Sequence, residues 1–161
     1  MTQEIQQLSK LLIQETNIAN NLLDLMLDEK NTLEENLPEK LSGITTSKAG
    51  CLDQMEAISR NKIQLLLGLS SAPTNVERQN QFIARQSSSI QKELNQLVDE
   101  LEDAIEKCRH QNSINGMIIA MNQRNVQRNL NIIKGADQES MTYTQKGQTT
   151  AVGKAYGGMK V

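Results

Sequence analysis

The chain has 161 residues, a length that favours one domain, and a formal net charge of −2, which makes no electrostatic case for nucleic acid or an anionic membrane. It holds one Phe, two Tyr and no Trp, so a compact core built on aromatic burial is excluded, and aliphatic residues recurring at three and four point to helix-on-helix packing. The N-terminal MTQEIQQLSK lacks a secretory pattern, and no apolar run approaches the roughly 20 residues of a membrane span.

The first helix is predicted over about residues 2–36, with Thr2 able to cap it and Glu4 in its first turn. Ile5, Leu8, Leu12, Ala19, Leu22, Met26 and Leu33 form a heptad seam, interrupted by Glu15 and Glu29. Leu11, Leu23, Leu25 and Leu27 widen the stripe, so this helix is expected to touch two neighbours. Asn36-Leu37-Pro38-Glu39 reads as a restart, with Asn36 as cap and Pro38 in the first turn; a kinked continuous helix is the alternative.

The second helix, about 38–67, carries Leu41, Ile44, Cys51, Met55, Ile58, Leu65 and Leu69 at helical spacing. Its opening from Ser42 to Gly50 is rich in Gly, Ser and Thr and should be its least stable part. Gly68 to Asn75 is a loop, and Thr74-Asn75-Val76-Glu77 has the pattern of a capping box. A third helix follows over about 75–110, with Val76, Ile83, Ile90, Leu97 and Ala104 at sevens, interleaved by Leu94, Leu101 and Cys108. Cys51 and Cys108 lack CxxC or His/Cys spacing and read as small buried hydrophobes in a reducing cytoplasm.

A helical segment at about 113–134 comes next, and it is either separate or continuous with the third helix through Gly116. Its apolar residues fall into two stripes at about 100° per residue. Ile114, Met117, Ile118, Met121 and Ile132 share one face; Ile119, Val126, Leu130 and Ile133 share the other. A surface helix of a compact domain needs only one such stripe. Either both sides are gripped within the chain's own fold, or one faces the bundle and the other a partner. Beyond Gly135 periodicity stops, and residues 136–161 are expected to form a flexible tail. The fold class is all-α: an elongated antiparallel bundle of three long helices, residues 1–135, ending in a C-terminal helical segment and that tail.

No catalytic constellation emerges. A di-iron bundle needs Glu-x-x-His on two helices, and the chain has one His. Zinc ligands and a Gly-rich phosphate turn are missing from the pattern, so no metal or cofactor is expected. His110 is followed by Gln111-Asn112-Ser113-Ile114 rather than the His-x-x-Lys-Gly of phosphotransfer bundles, and it reads as a solvent-facing residue beside Arg109. The acids Asp99, Glu100, Glu102, Asp103 and Glu106 read as a solvated face without a partner His.

LLDLMLDEKNTLEENL in the first helix, SRNKIQLLLGLS ending the second, NSINGMIIAMNQRNVQRNLNII in the last, and Thr142-Tyr143-Thr144-Gln145-Lys146-Gly147 in the tail together resemble the FlgN family of flagellar export chaperones. The similarity covers roughly residues 5–147 and rests mainly on the Asn115-Gly116 segment and the Tyr143 to Gly147 tail. The resemblance implies a cytoplasmic, non-enzymatic chaperone that holds the hook-filament junction proteins FlgK and FlgL by their C-terminal helical part and brings them to the type III export gate. It makes residues 112–135 the client-facing element and maps the tyrosine that engages the gate protein FlhA onto Tyr143. The competing reading is a self-assembling helical adaptor, in which the spare stripe closes a homodimer.

Overall fold

The structure is a computed structural model that describes the backbone of residues 2–146 and the side chains of residues 2–135. Among the described residues the fold is all-helical, with α1 at Gln3–Glu34, α2 at Pro38–Leu69, α3 at Asn75–Ala84 and α4 at Ser88–Lys146. Contacts divide the chain into two compact units, residues 1–118 and 119–161.

In the first unit, the α1 seam read from the sequence is the buried face: Ile5, Leu8, Leu12, Ala19, Leu22, Met26 and Leu33 are all buried. Leu8, Leu12, Leu66 and Leu94 are at most 1 % exposed, and full burial of such a side chain stabilises by about 1.5–3 kcal/mol. They join Ile5, Phe82, Ile83 and Leu101 in one cluster, so all four helices contribute to it. A second cluster holds Ala19, Leu22, Met26, Ala104 and Cys108, with Cys51 and Met55 of α2 packed against it. The Cys108 thiol donates to the Ala19 carbonyl at 3.1 Å, and burial pushes its pKa up, which keeps it a thiol.

Two ion pairs set the direction of α2 against α1. Glu15 pairs with Lys62 and Glu29 with Lys48, so positions fourteen apart on α1 meet positions fourteen apart on α2 in reverse order. The interruptions in the α1 seam are thus charge pairs, largely removed from water. Against α4 the order is the same on both helices: Ala19 meets Cys108, and Met26 meets Asn115.

The turns follow local chemistry, with three departures from expectation. Asn36 does not cap α2; it ends α1, with φ at 54°, a left-handed conformation that Asn tolerates, while Leu37 N–H closes back on Thr32 O at 3.2 Å in the manner of a Schellman motif. Thr2 stands at the N-cap of α1 without a side-chain bond, whereas Thr74 and Glu77 form the complete capping box of α3.

The second departure is the predicted 75–110 helix, which breaks after Ala84. Gln86 Nε2 donates to Phe82 O at 2.8 Å, and Gln91 Nε2 donates to Ala84 O and Gln86 O at 3.1 and 2.8 Å. Those amides satisfy carbonyls that a continuing helix would have used, and Ser87 to Ser89 is a run of weak helix formers suited to an N-terminus. Val76, placed in the predicted seam, is 68 % exposed because it belongs to the separate α3.

At Gly116 α4 is continuous, one of the two arrangements left open by the sequence, and the third departure is that it runs on past Gly135 to Lys146. Residues 136–146, expected in the tail, carry no Gly or Pro, and Ala136, Gln138, Glu139 and Met141 are good helix formers. The remainder of the predicted tail, 147–161, lies outside the described residues.

Candidate functional site

Up to Cys108, α4 buries Leu94, Leu101 and Cys108 at steps of seven. The next positions of that seam are amides. Gln111 and Asn115 are 8 % and 1 % exposed. Gln111 Nε2 donates to Asn115 Oδ1 at 2.9 Å, and Asn115 Nδ2 donates to Met26 O at 2.8 Å and to Glu29 Oε2 at 2.7 Å. Lys48 Nζ reaches both oxygens of Glu29, at 3.1 and 2.9 Å. The end of the first unit is therefore held by a satisfied polar cluster rather than by Ile and Met. The sequence reading missed Asn115 as a buried residue, although counting sevens from Leu94 leads to it.

The predicted contact residues of the first unit divide: Ile114 and Ile118 are half-buried, and Met117 is exposed. In the second unit, Ile119, Met121, Val126, Leu130, Ile132 and Ile133 are all exposed, between 39 % and 63 %. Of the two arrangements open from the sequence, both sides gripped or one side turned to the bundle, neither is seen in residues 119–135, where both stripes face outward. At about 100° per residue, Ile119, Val126, Leu130 and Ile133 lie within roughly 60° of arc. Amides fill most of the remaining positions, and Gln127 Nε2 bonds Asn131 Oδ1 at 3.0 Å along the surface. Scattered single apolar residues on a surface need no explanation, but a contiguous row on one helix does.

Two open grooves lie elsewhere in the first unit. One is lined by Gln6, Lys10, Ile13 and Gln14 of α1 with Glu93, Gln96 and Leu97 of α4. The other has Leu23 and Leu27 on one side, and Asp103, Glu106, Lys107, His110 and Gln111 on the other. His110 is exposed, and Lys107 and Arg109 are taken up in pairs with Asp103 and Glu106 on the same helix. Among the described residues no group of three or more His, Cys, Asp or Glu is arranged to hold a metal ion. None of the described helices is long and apolar enough to cross a membrane. Tyr143 falls within α4, but its side chain lies outside the described residues.

No curated protein and no solved structure matches the chain. A family model does, that of the FlgN protein, over residues 1–151. With most of its length matched, this chain belongs to the FlgN family of flagellar export chaperones.

Proposed function

We infer that this chaperone is cytoplasmic and binds the C-terminal helical region of the hook-filament junction proteins FlgK and FlgL through α4, keeps those segments from associating early, and delivers them to the type III export gate. The observation that carries the reading is the exposed row Ile119, Val126, Leu130 and Ile133. An amphipathic client helix laid along it would bury apolar surface on both partners, the helix-in-groove mode of recognition. Ile114, Met117, Ile118 and Met121 complete the client-binding set, and Met repacks readily for more than one client. Tyr143 is the proposed contact to the gate protein FlhA, since a Tyr offers apolar area and a hydroxyl in one side chain.

Isothermal titration of the C-terminal helical region of FlgK into the full chain tests this. Each of Ile119→Asp and Leu130→Asp is expected to weaken binding at least about tenfold, because burial of one such side chain is worth about 1.5–3 kcal/mol. Helix content by circular dichroism should not change, since both side chains already face solvent. Unchanged affinity in both variants would remove α4 as the client surface. A tight dimer of the free chain, broken by the same substitutions, would favour the self-assembling adaptor.

A further inference from the structure

The charges of this chain are segregated. Residues 2–118 hold eleven Lys and Arg against seventeen Asp and Glu, while residues 119–135 hold Arg124, Arg128 and Lys134 and no acid at all. Arg124 and Arg128 are exposed, and neither has an ion pair among the described residues. Met121, Arg124, Arg128 and Ile132 follow one another at steps of three and four, so they form a single ridge on α4. The other face, Ile119, Val126, Leu130 and Ile133, carries no charge. The exposed helix thus has one wholly aliphatic face and one face where two guanidinium groups sit between a Met and an Ile.

We propose that Arg124 and Arg128 make this surface selective for a client helix that carries Asp or Glu beside its apolar residues. The inference rests on the reading that α4 is the client surface, and it specifies the charge of what binds there. Guanidinium groups recognise carboxylates by paired N–H donors, and a ridge without resident anions leaves those donors for a partner. Cationic neighbours also repel a basic helix of the same hydrophobicity, which is how charge sorts partners. A membrane is the poorer fit. The arginines do stand opposite the aliphatic face, but a helix lying on lipid turns a polar face to water. Here that face would leave Met121 and Ile132 exposed beside the arginines, on a chain whose net charge is −2.

The test uses the full chain and the C-terminal helical region of FlgK, with its carboxylates intact, neutralised to Asn and Gln, or reversed to Lys. Arg124→Glu with Arg128→Glu should weaken binding of the intact segment by about tenfold or more, and Arg124→Gln with Arg128→Gln by less. Wild-type affinity should fall as sodium chloride is raised, and the reversed segment should regain affinity only with the Glu variant. The proposal is overturned if the Glu variant binds the intact segment as tightly as wild type. If Ile119→Asp still loses the client in that case, the client surface stands and only its charge rule falls; if Ile119→Asp and Leu130→Asp bind normally too, both fall. Capture of the chain by anionic vesicles, abolished by the Glu variant, would assign the arginines to lipid and overturn it. A wild-type dimer dissociated by that variant would assign them to a second copy, with the same result.

Discussion

The carboxylate of Glu29 accepts two hydrogen bonds from Lys48 and one from Asn115 inside a row of aliphatic side chains. Lys48 and Glu29 side chains are only 18 % and 10 % exposed, so neither ion has much water to fall back on. Replacing Glu29 with Ala would strand the Lys48 ammonium and leave Asn115 Nδ2 with Met26 O alone. Loss of about 3 kcal/mol is expected, read as a lower urea midpoint with an unchanged slope. The double change Glu29→Leu with Lys48→Met removes both ions together and should recover most of that loss. If Glu29→Ala alone unfolds at the wild-type midpoint, the pair contributes nothing to stability. The sequence shows Glu29 as an interruption of the seam, but its partner lies in the Gly- and Ser-rich opening of α2, where no pattern singles out Lys48.

At the scale of the element, α3 is the part most dependent on its ends. Ten residues are too few for a helix to persist alone, and only Phe82 and Ile83 of this one are buried. Thr74 Oγ1 accepts the Glu77 N–H at 3.2 Å, and Glu77 Oε2 accepts the Thr74 N–H at 3.2 Å. Thr74→Ala should therefore cost about 1 kcal/mol, measured by denaturant unfolding, with Thr74→Ser close to wild type. This cap is written in four consecutive residues and could be read directly. The break that ends α3 could not, because it depends on Gln86 and Gln91 folding back onto carbonyls and involves neither Gly nor Pro. Helix seams were legible where burial is one-sided, as on α1. On α2 the seam residues are only half-buried, and its one fully buried member, Leu66, stands outside the pattern.

For the molecule as a whole, the two units differ in what holds their helices. Residues up to Asn115 of α4 are anchored by buried side chains, whereas the apolar residues from Ile119 to Ile133 are exposed. Hydrogen exchange followed by mass spectrometry should find amides of residues 119–135 exchanging at least about tenfold faster than those of residues 94–115, and slowing when client binds. Equal protection in the free chain would mean that the second unit is stabilised by something other than a client. The two stripes of this segment were legible from spacing alone; that both face outward was not, because periodicity records which residues share a face and not what lies against it. The pairs Glu15–Lys62 and Glu29–Lys48 have a final consequence, for how the chain finds its alignment. Heptad seams look alike after a shift of seven, so hydrophobic collapse alone would accept α2 one notch out of place. Shifted one way, Glu15 would face Leu69 and Glu29 would face Met55; shifted the other way, they would face Met55 and Leu41. Either error sets two carboxylates against hydrocarbon and leaves two ammonium groups unmatched, so the sparse charges act as a vernier that only one alignment satisfies.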